Sequence, residues 1–222
     1  MLNILVVGSS GGIGRALHEQ SISDGNNVIG ISRSQDGLDI TNEQSILSAL
    51  GRVQDIQFDK IFIATGELAS EGFEPEKTID RIDPQNSIMQ FQVNALGPIL
   101  LLKHLKRNML RRKPVFIGVL SAKVGSISDN NLGGWYSYRA SKAALNQFIR
   151  TYSIELSRTH PESTCVALHP GTIRTSFTKN YHDKYLTQTP KECAKNLLKL
   201  SDEIKFTDTG SFFDYSGQKI DW

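Results

Sequence analysis

Cysteine is scarce in this 222-residue chain: Cys165 and Cys193 are the only two, and they have neither the close, even spacing of a disulfide framework nor that of a metal site. Both are expected in the core, as suits a reducing cytoplasm. The five histidines form no metal-spaced cluster either, and His169, beside Pro170, reads as a strand-end residue. No metal is expected. Charge of one sign is also lacking, since 25 Lys and Arg against 23 Asp and Glu leave a net charge of +2, too little for the field of a dedicated nucleic-acid binder. The basic residues Lys103, Lys106, Arg107, Arg111, Arg112 and Lys113 gather near a helix end, where cations are stabilising in any case. The apolar stretch Ala95–Leu102 falls well short of the ~20 residues that cross a bilayer, so it is expected as a helix buried on two sides, by a sheet and by a second subunit. The start of the chain has no basic segment or small-residue cleavage site of a secretion signal, and Leu2–Val7 reads as a strand.

Short β-branched runs alternate with longer amphipathic ones. Leu2–Val7, Asn27–Ser32, Lys60–Ala64, Pro114–Leu120, Thr164–His169 and Ser211–Tyr215 are predicted strands, and most of the intervening stretches are predicted helices. Such alternation implies βαβ units: an α/β, doubly wound parallel sheet with helices on both faces, formed by residues 1–222 as a single Rossmann domain. Thr41 with Gln44 and Thr189 with Glu192 have capping-box spacing, and Asp83-Pro84 and Thr189-Pro190 place proline at a helix start. The polar, aperiodic stretch 172–188 is a candidate substrate flap or a plain surface excursion.

After the first strand, Gly8-Ser9-Ser10-Gly11-Gly12-Ile13-Gly14 opens a helix, which is the context a dinucleotide-binding turn requires. At the end of the second strand, Ser32-Arg33-Ser34 offers no carboxylate for ribose hydroxyls. Arg33 instead presents a planar fork suited to a 2′-phosphate, with Ser10, Ser32 and Ser34 as further donors, so NADP(H) is favoured over NAD(H). Tyr138 and Lys142 lie four apart in a helical stretch and emerge on one face. That spacing alone fits a solvated helix face as well as a phenol tuned for proton transfer by a nearby ammonium. Pro98 cannot donate to the carbonyl of Asn94, so a kink is expected there, with a water on the freed carbonyl.

The ordered series of these motifs resembles the short-chain dehydrogenase/reductase family. It comprises the Gly8, Gly12, Gly14 spacing, Asp39-Ile40, Ala64-Thr65-Gly66, Asn94, Tyr138 with Lys142, and Pro170-Gly171. The stretch Gly133 to Lys142 resembles the C-factor and sniffer-like carbonyl reductase branch. The resemblance implies a cofactor held by Gly8, Ser10, Gly12, Ile13, Gly14 and Arg33. Asp39 and Ile40 would bracket the adenine, with Ala64, Thr65 and Gly66 beside the cofactor and Pro170, Gly171, Ile173 and Thr175 over the nicotinamide. It further implies Tyr138 as acid/base, Lys142 as tuner and ribose anchor, and Asn94 as holder of a proton-relaying water.

In two places the chain departs from the family pattern. Gly11 stands where many NADP-dependent relatives carry a second basic residue, and anchoring on Gly125 puts Ala122 at the position of the substrate-polarising serine. Ser121, Ser126 and Ser128 are the hydroxyls nearby, with Ser126 favoured as a replacement. The expected function is NADP(H)-dependent hydride transfer to a small aldehyde or ketone, in a cytoplasmic homodimer or homotetramer without nucleic-acid or membrane partners. The alternative is a nucleotide-binding regulatory or signalling protein of C-factor type with weak or lost catalysis.

Overall fold

The computed structural model describes residues 1–69, 73–175, 177 and 187–222. Its strands are β1 (Asn3–Val7), β2 (Asn27–Ile31), β3 (Lys60–Ile63), β4 (Phe116–Leu120), β5 (Thr164–His169), β6 (Thr172–Ile173), β7 (Thr187–Gln188) and β8 (Phe212–Asp214). Six of them form one sheet in the order β2-β1-β3-β4-β5-β8, with every neighbouring pair parallel. These six are the strands expected from the sequence, each within two residues of its predicted bounds. The helices are α1 (Gly12–Ser23), the single turn α2 (Arg33–Asp36), α3 (Glu43–Leu50), α4 (Pro84–Phe91), α5 (Gly97–Leu105), α6 (Tyr136–Thr159) and α7 (Pro190–Glu203).

Alternation along the strands separates two cores. Ile4, Val6, Phe62, Val166 and Leu168 face Leu17 of α1 and Cys193, Ala194 and Leu197 of α7. Leu5, Val7, Ile61, Ile63, Ile117 and Cys165 face Ile46 of α3, Leu101 and Leu105 of α5, and Leu145, Ile149 and Leu156 of α6. Burial on both faces explains why the strands read as near-continuous β-branched runs, and each such side chain contributes roughly 1.5–3 kcal/mol. Both cysteines are buried and free, as expected. The helix α5 packs against both α3 and α6, which accounts for much of its apolar circumference within one chain.

Local expectations fared unevenly. Thr189 and Glu192 form the capping box, and Asp83 caps α4 ahead of Pro84. The box expected at Thr41 and Gln44 does not form. Thr41 gives both its N–H and its hydroxyl to Asp39 Oδ1, and Asn42 caps α3 instead by accepting from Ser45 N. The kink before Pro98 takes the form of a π-helical turn, Gln92–Leu96, between α4 and α5, in which Gly97 N–H reaches back five residues to Gln92 O. In the basic cluster, Lys103 pairs with Glu43 and Lys106 with Glu155, each at 2.7 Å. The candidate flap 172–188 is closed at its base by β6 pairing with β7; residues 176 and 178–186 lie outside the described residues. Among the described residues no helix is long and apolar enough to cross a membrane.

Candidate active site

Four adjacent strands deliver the expected residues to one edge of the sheet. Gly8 follows β1, Ala64 follows β3, Ser121 follows β4 and Pro170 follows β5, all at the carboxyl ends, beside the point where strand order reverses between β1 and β3.

The glycines of the first turn are required by close approach. Gly8 has φ +90°, and a Cβ on it would lie 2.7 Å from Ala64 O; a Cβ on Gly14 would lie 2.2 Å from Gly8 O. A Cβ on Gly12 would meet Thr175 Cγ2 at 2.3 Å, so Thr175 is brought to the glycine turn. The N-cap of α1 is Gly11, which has no side chain to close the first turn, and that turn contains no acidic residue. Backbone N–H groups at such a helix start favour an anion. The hydroxyls of Ser9 and Thr65 are buried here without a hydrogen-bond partner. An open helix start, a glycine cradle and two orphaned hydroxyls fit a bound dinucleotide. Ser10 lies half-buried in the turn, while Ile13 packs against the core on the α1 and α7 face.

Arg33 is exposed at the start of α2 and close enough to Asp39 to help hold that carboxyl below its ordinary range, after the larger effect of the Thr41 hydrogen bonds. Ser32 is less free than expected: its hydroxyl accepts from Gln35 N, and its N–H donates to Asp36, which is paired with Arg52. Ile40 packs on Gly97, where an added Cβ would lie 2.5 Å from Ile40 Cγ1. Two cations that the sequence reading missed stand nearby. Arg15 and Arg52 line a 540 Å³ cavity with Ser10 and Gln35, and Arg15 donates to Ser10 O at 3.3 Å. Nothing in their spacing pointed to this, since Arg15 reads as an ordinary first-turn residue.

Around α6 the expected residues form one cluster. Lys142 Nζ donates to Leu120 O at 3.1 Å and lies 5.9 Å from the centre of the Tyr138 ring. A Cβ on Gly66 would lie 3.2 Å from Asn94 Oδ1 and 3.4 Å from Lys142 Nζ. Asn94 is fully buried; its Oδ1 accepts from Glu67 N, and its Nδ2 lies within hydrogen-bond distance of Glu67 O, Gln90 Oε1 and Ser141 Oγ. Ser141 in turn donates to Tyr138 O at 2.8 Å. Glu67 acts through its main chain, so residue type carried no signal for it.

Tyr138 is buried between two aromatic neighbours, Trp135 at 6.1 Å and Phe177 at 6.4 Å, both edge-on. Contrary to the expected lowering of the phenol by the nearby ammonium, burial raises the Tyr138 pKa and pushes Lys142 down to about 7. Burial likewise pushes His169 down to about 4, which keeps this strand-end residue neutral near pH 7.

The turn after β5 places Gly171, at φ +84°, against the ring of Tyr215, and Pro170 O accepts from Cys193 Sγ at 3.7 Å. The side chain of Ile173 is buried in the core, so any contact it makes with a cofactor must come from its backbone.

The serines depart from expectation. Ala122 is extended and carries no hydroxyl, while Gly125 packs directly on Lys142. Ser121 donates to Asn146 Oδ1 of α6 at 2.6 Å, as its opposite face on an extended chain predicted. Ser126 donates to Asp221 O at 2.6 Å, and Ser128 donates to Trp222 O at 2.9 Å. Ser126, expected to stand in for the missing hydroxyl, is thus engaged by the 221–222 segment, far away in sequence.

The sequence profile of the short chain dehydrogenases matches residues 38–186, well over half of the chain. The chain belongs to the short chain dehydrogenase family. Among curated relatives of this dehydrogenase, a 1-hydroxy-2-glutathionyl-2-methyl-3-butene dehydrogenase of Rhodococcus sp. is 27% identical over the whole of both chains. The C-signal protein of Myxococcus xanthus is 32% identical over 64% of this chain and 81% of its own. A benzil reductase ((S)-benzoin forming) of Saccharomyces cerevisiae is 30% identical over 85% of this chain and 78% of its own. A short-chain dehydrogenase/reductase of Burkholderia multivorans solved with bound NADP superposes with a TM-score of 0.85 at 27% identity, covering 100% of this chain and 99% of that one.

Proposed function

We propose that this oxidoreductase, a single Rossmann domain over residues 1–222, transfers hydride between NADP(H) and a small aldehyde or ketone. The observation that carries the reading is the convergence of Tyr138, Lys142, Asn94 and Gly66 beside the glycine turn, at the carboxyl edge of the sheet. When bound, the nicotinamide supplies or accepts the hydride. Tyr138 gives its phenolic proton to the carbonyl oxygen as the carbonyl carbon is reduced. Lys142 anchors the ribose and, protonated there, lowers the cost of the phenolate. Asn94, locked on four sides by Glu67, Gln90 and Ser141, fixes the π-helical turn from which its main-chain carbonyl offers a water site.

Preference for NADP(H) is supported by Arg33 and by the NADP in the Burkholderia multivorans structure. Assembly as a homodimer or homotetramer is supported by Ile88, Phe91 and Ile154, large apolar side chains 59%, 40% and 44% exposed on α4 and α6. A cytoplasmic location is supported by the two free cysteines. Turnover of aldehydes and vicinal diketones with NADPH tests the activity. Tyr138→Phe should remove all but ~1% or less of it with cofactor binding retained, given the ~10²–10⁴ that positioned acid catalysis contributes. Near-native turnover in that variant would defeat the mechanism. A regulatory role with weak catalysis is favoured by Ala122 and by the likeness to the C-signal protein; tight NADPH binding with no turnover across the panel is its signature.

A further inference from the structure

The helix that carries Tyr138 and Lys142 has no side chain of its own to close its first turn. Its N-cap is Trp135, held in the left-handed region at φ 54°, the one non-glycine residue with positive φ among the described residues, and Trp135 makes no capping bond. Gly133 and Gly134, at φ 64° and 66°, lead into it. The cap is supplied from another loop. Glu76, between β3 and α4, accepts from Ser137 N at 3.2 Å through Oε2 and from the Ser137 hydroxyl through Oε1. Its main-chain carbonyl accepts from Trp135 N at 2.5 Å. The Ser137 hydroxyl also lies 2.8 Å from Ser87 Oγ of α4.

Glu76 is only 2% exposed, and a buried carboxylate is costly unless compensated. Here the compensation comes from a helix N-terminus, where negative charge is favoured, together with two hydrogen bonds. One residue thus fixes positions 135 and 137, two of the three residues that lead into Tyr138. Trp135 packs edge-on against the Tyr138 ring, so holding its strained backbone also holds that aromatic wall. The same loop, at Glu67, grips Asn94.

We propose that Glu76 is a positioning residue for Tyr138, clamping the start of α6 so that the phenol lies where proton transfer requires it. The inference rests on the reductase reading above. Glu76→Ala should lower kcat by roughly 10- to 100-fold, the scale of a misplacement near 1 Å, while the NADPH Kd stays within about threefold. Glu76→Gln should recover kcat to within about threefold of wild type, because its carbonyl can accept from Ser137 N while its amide donates to the Ser137 hydroxyl. Recovery in Gln separates a cap from a proton donor, which the amide cannot be. Ser137→Ala, which keeps the backbone N–H, should cost less than Glu76→Ala and serves if the latter does not fold.

Amide hydrogen exchange supplies a readout independent of turnover. Residues 137–140 should exchange faster in Glu76→Ala and regain protection in Glu76→Gln. Wild-type kcat in the Ala variant, a Gln variant as slow as Ala, or equal exchange across the series would each overturn the proposal. If wild type itself turned over no carbonyl compound, the reductase reading would fail, and the exchange series would still decide whether Glu76 holds the helix start.

Discussion

The buried ammonium of Lys142 makes a quantitative demand on the stability of the protein without cofactor. Its ordinary value is 10.5, and burial lowers it in the folded state to about 7. Between those two values the unfolded chain binds a proton that the folded chain does not. Stability must therefore rise with pH through that window, and the contribution is lost as pH falls through about 7. The slope is about 1.4 kcal/mol per pH unit. From about pH 8 the buried thiols Cys165 and Cys193, both raised by burial from an ordinary value of 9.0, begin to act in the opposite sense, and Tyr138 and Tyr152 follow. The clean interval is thus pH 7 to 8, worth about 1 kcal/mol because half the folded molecules still carry the proton at pH 7, or roughly 2–4 °C in Tm for a chain of this size. Urea titrations of wild type and Lys142→Met across that interval isolate the effect. The Met variant should be the more stable protein at pH 7, with the gap closing as pH rises, and should bind NADPH poorly. Parallel stability curves for the two proteins would mean that Nζ titrates like an exposed lysine in the folded state, and the argument from burial would fall.

Arg33→Asp should level or reverse the preference for NADPH over NADH, read by fluorescence titration of both cofactors; an unchanged ratio would remove Arg33 from the phosphate site. Ala122→Ser should raise turnover on simple carbonyl compounds, because a missing oxyanion donor commonly costs ~10²–10³ in rate, or about 2.7–4 kcal/mol. Ser126→Ala should leave turnover within about threefold of wild type, since its hydroxyl is bound to Asp221 O. A large loss in that variant would show that Ser126 reaches the substrate after all.

What the sequence made legible was whatever repeats along the chain or lies within a few residues. Parallel strands buried on both faces read as near-continuous apolar runs, many of them rich in β-branched residues, so six of them could be placed to within two residues. The glycine turn was readable from its strand-to-helix context, whereas Tyr138, Lys142 and Asn94 stood out through their place in a series of motifs that resembles the short-chain dehydrogenase/reductase family, since helical spacing alone fits a solvated face as well. The errors arose from competition for the same hydrogen bond. Thr41 had a capping box's spacing, but Asp39 two residues earlier accepts from its hydroxyl, and Ser126 lay near the strand end, but its hydroxyl donates to the main-chain carbonyl of Asp221.

Glu76 was invisible for a related reason: its partner Ser137 is 61 residues away, and no local pattern announces that a helix will be capped from outside. Trp135 was nevertheless a clue, since a tryptophan cannot close a helix start and two glycines precede it. A long helix that lacks a capping side chain and buries a first-turn N–H, as α6 does at Ser137, needs another element to supply an acceptor. That obligation, applied to α6, leads from the sequence Gly133-Gly134-Trp135-Tyr136-Ser137-Tyr138 to a carboxylate elsewhere in the chain, and the loop after β3 is where the fold provides it. The hold on Tyr138 is therefore divided between α6 and a loop that also secures Asn94, so a change in that loop reaches proton transfer through two routes at once.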